Sequence, residues 1–160
     1  MGQEEKEMSF AVITTPIGNL KIASDGEFIT TVLFTEEDEL GSDNSLINSC
    51  IEQVKNYFKG ELKEFNLPLY PHGTPFQQQV WDKLSKVPFG VTKSYGDLAV
   101  ELGDMKKVRA VGTANGANPI AIIIPCHRII AGNGDLTGYA GGLWRKKWLL
   151  EHESSQTSLF

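Results

Sequence analysis

The sequence predicts an α+β fold: a small N-terminal antiparallel sheet-plus-helix domain, residues 1–73, then a mostly helical C-terminal domain, residues 74–160, containing a helix-turn-helix and a short β-hairpin. Three observations predict it. Short β-prone runs broken by Gly, Pro and Asn fill the beginning of the chain. A helix-capping signature opens at Thr74, and helical periodicity dominates after it. The charge changes sign at the same place: residues 1–73 hold 5 Lys/Arg against 13 Asp/Glu, and residues 74–160 hold 10 against 7.

The first domain is read from its punctuation. Phe10–Thr15, Leu20–Ser24 and Ile29–Thr35 are strand-like, joined by turns at Pro16-Ile17-Gly18-Asn19 and Asp25-Gly26. Leu46, Ile47, Cys50, Ile51, Val54, Tyr57 and Phe58 then recur at helical period, so an amphipathic helix ending near Gly60 should cover the sheet. Cys50 lies on its apolar stripe and reads as a small buried hydrophobe. Pro68, Pro71 and Gly73 mark the domain boundary.

In the second domain Thr74 is a cap, Pro75 suits the first helical position, and Gln77 completes a capping box. Phe76, Val80, Trp81 and Leu84 form the stripe of that helix, which Val87-Pro88-Phe89-Gly90 ends. Tyr95, Leu98, Ala99 and Leu102 give a further helix, Gly103-Asp104 a turn, and Met105 to about Asn115 a second helix. This second helix carries Ala110, Gly112, Thr113, Ala114 and Gly116, so its exposed face is nearly free of bulk. Small residues weaken a helix and need a reason. Close approach to a DNA groove is one reason, and tight packing against another helix is the other.

The chemistry concentrates further on. An apolar, β-like run from Ile120 to Pro125 delivers Cys126, His127 and Arg128 in succession. Burying an imidazole and a guanidinium beside a thiol is costly unless the groups are paired or used. A cationic, hydrogen-bonding neighbourhood is expected to lower the thiol pKa and favour the nucleophilic thiolate. Adjacent residues of a strand point to opposite faces, so coupling Cys126 to His127 calls for a bend after Pro125 or a bridging water. A carboxylate from the last helix, Glu151 or Glu153, would orient the histidine. Asn133-Gly134 is a hairpin signal, and Tyr139 sits among glycines as a pocket wall or a loop anchor.

Composition excludes several classes. With 41% apolar and 22% charged residues the chain reads as a soluble globular protein. The longest apolar run is too short to span a bilayer, and the acidic start carries no apolar leader region. Two cysteines in unlike contexts make no disulfide framework, so a reducing cytoplasm is expected. The net charge of −5 argues against a general nucleic-acid coat but not against a DNA-binding second domain.

Pro125-Cys126-His127-Arg128-Ile129-Ile130 resembles the active-site motif of the O6-alkylguanine-DNA alkyltransferases. The surrounding pieces agree in order and spacing: Phe76-Gln77-x-x-Val80-Trp81, Ser94-Tyr95-Gly96-x-Leu98-Ala99, Arg109-Ala110-Val111-Gly112, Asn118-Pro119, Gly138-Tyr139-x-Gly141-Gly142 and Lys147-Trp148-Leu149-Leu150-x-His152-Glu153. The likeness covers residues 74–153, while residues 10–65 resemble the family's variable domain only through Thr15-Pro16-x-Gly18-x-Leu20.

That resemblance implies irreversible, single-turnover transfer of an alkyl group from O6-alkylguanine, with O4-alkylthymine as a second substrate, to Cys126. It implies that His127 activates Cys126 through a water, that Glu153 orients His127, and that Asn118 supports the turn shaping the site. Tyr95 would meet the flipped base and protonate the departing oxygen. Arg109 would fill the gap in the duplex, with Ala110, Gly112, Thr113 and Arg128 against DNA in the minor groove. Tyr139, Ala140 and Gly141 would line the alkyl pocket. No cofactor and no metal are expected, since Cys50 and His72 are the only Cys and His before residue 74. A monomer acting on double-stranded DNA, away from membranes, completes the expectation. Ala140 stands where some members have a polar residue and Gly116 where some have a basic one. The family's non-catalytic sensors of alkylated DNA carry Trp at the cysteine position, and Cys126 argues against that alternative. A Cys–His hydrolase would want a histidine remote in sequence, and a regulator built on the helix-turn-helix would want a ligand site that the first domain lacks.

Overall fold

The structure, a computed structural model, describes residues 8–157. The acidic segment 1–7, read above as lacking a leader, lies outside the described residues. The chain divides between Pro71 and His72 into two compact units. The division falls just before Gly73, a residue committed to the second unit. A Cβ on Gly73 would sit 2.4 Å from the Trp81 ring, so only glycine lets the backbone approach that side chain.

In the first unit, strands β1 (Ser9–Thr15), β2 (Gly18–Ser24) and β3 (Ile29–Thr35) form an antiparallel sheet in the order β1-β2-β3. Val12 pairs with Lys21 and Ile22 with Val32, which brings Ala11, Ile13, Leu20, Ile22 and Val32 into the core. The Thr15 hydroxyl donates to the Gly18 carbonyl at 2.6 Å and pins the first turn. Asp25 accepts from the amides of Glu27 and Phe28 and pins the second. Helix α1 (Ser45–Phe58) is capped by Asn44, whose side chain accepts from the Ile47 amide. It lays Ile47, Cys50, Val54 and Tyr57, all fully buried, on the sheet.

The second unit opens with α2 (Pro75–Leu84), where both halves of the Thr74–Gln77 capping box are formed. Next come the two-residue strand β4 (Lys93–Ser94) and α3 (Tyr95–Glu101), the latter with its own capping box between Ser94 and Asp97. The second helix of the pair begins later than its pattern suggests. Met105–Lys107 form a 3-10 turn capped by Asp104, and α4 proper spans Val108–Gly116. Helix α4 packs on α2 and α3, and the Trp81 indole donates to the Ala114 carbonyl at 2.8 Å.

The expected hairpin is not formed. Strand β5 (Ile129–Ile130) pairs parallel with β4, and Asn133-Gly134 only closes a local turn in which the Gly134 amide donates to Ala131. The physical reason is the partner: Lys93 and Ser94 satisfy β5, so no returning strand is required. Helix α5 (Leu143–Thr157) completes the unit. Among the described residues no helix is long and apolar enough to cross a membrane.

Candidate active site

The site is built on a turn where a strand was expected. Residues 120–124 fold back on themselves: the Ile124 amide donates to Ile120 and the Ile123 amide to Ala121. Asn118 clasps this turn, accepting from the Ile120 amide and donating to the carbonyls of Ile124 at 2.7 Å and Ile120 at 3.3 Å. Ile122 is held at φ 72, a left-handed conformation that a β-branched residue adopts only when its surroundings impose it. Pro125 ends the turn, and Cys126–Arg128 form one 3-10 turn. The backbone therefore bends after Pro125, as coupling of Cys126 to His127 would require.

Three side chains interlock behind the cysteine. His127 is fully buried and Glu153, from α5, is 1% exposed. Their closest atoms, His127 Nε2 and Glu153 Oε2, lie 2.7 Å apart. Arg128 donates through Nε to Glu153 Oε1 at 2.8 Å, through a terminal nitrogen to Oε2 at 3.0 Å, and to the Val87 carbonyl at 2.7 Å. The Gly90 amide adds a fourth donor to the carboxylate at 3.3 Å. Burial alone would raise the Glu153 pKa, but hydrogen bonding and charge from His127 and Arg128 outweigh it and hold the carboxyl well below the usual range. An ionised carboxylate only accepts, so His127 Nε2 carries the proton and Nδ1 is left as the basic nitrogen. That Nδ1 is buried and has no hydrogen-bond partner among the described residues.

The thiol differs from its expected state. Burial pushes the Cys126 pKa up, and the opposing pull of Asn118 and of the Lys146 charge does not overcome it. Desolvation of a residue only 7% exposed outweighs its polar neighbours, so the resting group is a thiol. His127 is lowered, chiefly by burial, and stands neutral. Both groups are therefore neutral at rest.

An open cavity of about 560 Å³ lies over the helix pair, with Tyr95, Arg109, Gly112, Thr113 and Gly138 in its wall. The Tyr95 hydroxyl donates to the Thr137 carbonyl at 3.0 Å. Lys146 joins this wall to β5, the strand that follows the cysteine turn. Its ammonium, fully buried, donates to the carbonyls of Ile129 at 2.5 Å and Thr137 at 2.8 Å and stands 3.5 Å from the Tyr95 hydroxyl. Burial brings Lys146 down to about 8, against the raising influence of Cys126. The Tyr139 hydroxyl is buried without a hydrogen-bond partner among the described residues, its pKa raised by burial and then by the nearby Cys126.

The structure thus brings Cys126, His127, Glu153 and Asn118 together, and gathers Tyr95, Arg109, Gly112 and Thr113 at the cavity. Ala110 is exposed on α4, and Ala140 is exposed on the loop, where Gly141 accepts from Arg145. Arg128 is a correction. It is 6% exposed with its guanidinium committed to Glu153 and Val87, so it is not available to DNA. The sequence does not mark two buried polar side chains near the cysteine, Lys146 and Asn115. Lys146 shares a helical stripe with Leu149 and Glu153, spaced three and seven residues on, and that spacing was the available signal.

Comparison with known proteins adds independent findings. Residues 75–155 match the family model described as 6-O-methylguanine DNA methyltransferase, DNA binding domain, and residues 8–71 match the ribonuclease-like domain of the same enzyme. A methylated-DNA–protein-cysteine methyltransferase of Methanosarcina acetivorans is 43% identical, over 92% of this chain and 99% of the relative. The constitutive enzyme of that name from Bacillus subtilis is 42% identical, over 82% of this chain and 86% of its own. Among solved structures, the Mycobacterium tuberculosis O6-methylguanine methyltransferase superposes with a TM-score of 0.86 at 42% identity, covering 96% of this chain and 97% of the other. A Mycobacterium tuberculosis structure in complex with DNA gives a TM-score of 0.85 at 45% identity, covering 92% and 93%.

Proposed function

Because this chain belongs to the 6-O-methylguanine DNA methyltransferase family, we propose that it repairs alkylated DNA by direct reversal, with Cys126 as the acceptor that keeps the alkyl group. The observation that carries the assignment is the pairing of a clamped Nε2 with an unpartnered Nδ1 on His127, the residue beside the only cysteine of the second unit. The Cys126 proton passes through a water to Nδ1. Sulfur forms a bond to the alkyl carbon as the O6–carbon bond breaks, the base takes a proton from Tyr95, and the proton held on His127 is released to solvent as Tyr95 regains one. No electron changes hands: a thiol and an ether become a thioether and a guanine. A thioether offers water no leaving group, so each molecule acts once.

The partner is DNA. A guanine inside the stack hides O6 from any side chain, and extruding it costs a few kcal/mol. We assign Arg109 to the vacated space and the smooth face of α4, with Ala110, Gly112 and Thr113, to the minor groove, where added bulk would hold the backbones apart. Tyr139 and the loop that carries it border the alkyl group. The protein acts as a monomer in a reducing compartment, where a free thiol survives.

The test is a mass measurement. After incubation with a duplex bearing O6-methylguanine, the Cys126 peptide should gain about 14 Da, stoichiometrically and for good, as thiol alkylation requires. An unchanged Cys126 beside an unrepaired lesion would refute the assignment. Repeated turnover would point to a hydrolase instead.

A further inference from the structure

We propose that Asn115 is a positioning residue that ties the backbone of Cys126 to α4, so that the helix gripping DNA also sets the aim of the thiol. The proposal rests on Cys126 being the acceptor. Asn115 lies on the last turn of α4 and is 1% exposed. Its side-chain amide donates to the Cys126 carbonyl at 3.3 Å. Its Oδ1 is buried with no hydrogen-bond partner among the described residues.

A buried amide with half its bonding capacity unused is an expensive way to fill space, and a Leu or Met of similar volume would fill it without that cost. What Asn adds is a directional bond from the helix to one particular carbonyl. Helix α4 is itself anchored one residue earlier, where the Trp81 indole donates to Ala114. Cys126 is held on its other side by Asn118 through the turn that ends at Ile124. The nucleophile's backbone is therefore gripped from two elements. Asn118 fixes the turn before it, and Asn115 fixes its own carbonyl to the element that carries Arg109. An in-line displacement is sensitive to the direction of attack, and a small misplacement of reacting atoms is costly in rate.

A structural residue and a positioning residue separate in single-turnover kinetics with a lesion-bearing duplex. Loss of stability lowers the fraction of protein that ever reacts, whereas misaimed sulfur lowers the rate constant of the fraction that does. In Asn115→Ala the saturating rate constant should fall about fivefold or more, the ratio that one net hydrogen bond supplies. The reaction amplitude per folded protein and the half-saturating duplex concentration should remain those of the wild type. Asn115→Leu, which keeps the volume but not the donor, should behave the same way and serves if the alanine variant melts too low. A wild-type rate constant in either folded variant would overturn the proposal while leaving Cys126 as acceptor. Absence of alkyl on Cys126 in the wild-type protein would overturn both, and the two failures are told apart by the wild-type mass alone.

Discussion

Glu153→Gln is the most informative single change, because one carboxylate serves three roles. It accepts from Arg128 through two nitrogens, from the Gly90 amide, and from His127 at 2.7 Å. Glutamine has the same shape but only one acceptor oxygen. Whichever oxygen is replaced, the donors now at that position, His127 and Arg128 at Oε2 or Arg128 and Gly90 at Oε1, would then face an amide NH2, donor against donor. The Arg128 cation would remain buried without its counter-charge, and breaking a buried pair from one side costs about 3–5 kcal/mol. Taking the lower figure because an amide oxygen still accepts, the loss is about 3 kcal/mol, or roughly 6–12 °C in melting temperature for a chain of this length. The rate should fall further than stability explains. Without an obligate acceptor at Nε2 the imidazole is free to place its proton on Nδ1, and a lost general base costs about 100-fold or more. Calorimetry and single-turnover repair of a methylated duplex measure the two effects separately. A variant that melts within about 2 °C of the wild type, less than about 1 kcal/mol at this size, would refute the buried-pair reasoning. A rate within threefold would refute the tautomer argument.

Two arginines should part company. Arg109→Ala is expected to slow repair in duplex DNA far more than reaction with free O6-alkylguanine base, because only the duplex demands extrusion; equal slowing would remove Arg109 from that role. Arg128→Met should lower the melting temperature yet leave the salt dependence of duplex binding unchanged, whereas a phosphate contact would reduce the slope by about 0.9. Stability should also fall in mild acid. His127 takes up a proton less readily when folded than its ordinary value of 6.5 implies, so the unfolded chain binds more protons and stability rises with pH through the window just below 6.5. Melting curves from pH 7.5 to 5 should show this slope in the wild type and lose it in His127→Gln; an identical slope in both would reject the assignment.

Much of this molecule is legible in the sequence, and the misreadings share a cause. The stripe of α1, the Thr74–Gln77 box and the turns at Gly18 and Asp25 depend on residues a few positions apart, and local rules locate them. The run of isoleucines before Pro125 has strong strand propensity, yet Asn118 folds it into a turn and forces Ile122 left-handed. Three side-chain bonds and a proline outweigh a propensity worth only tenths of a kcal/mol per residue. Arg128 reads as a DNA contact until Glu153, 25 residues away, captures it. Lys146 and Asn115 look like ordinary helix residues, since what they bond is supplied by elements distant in sequence. The thiol's acidity departs from the sequence expectation for a related reason: adjacent residues are visible in a sequence, and depth of burial is not.

That depth has a further consequence. Oxidants and disulfides attack a sulfur in proportion to its exposure and its anionic character. Cys126 shows little of either at rest. Peroxide or oxidised glutathione should therefore spoil few molecules, and a pool of protein that is consumed by its own reaction can be stored for long periods with its capacity intact.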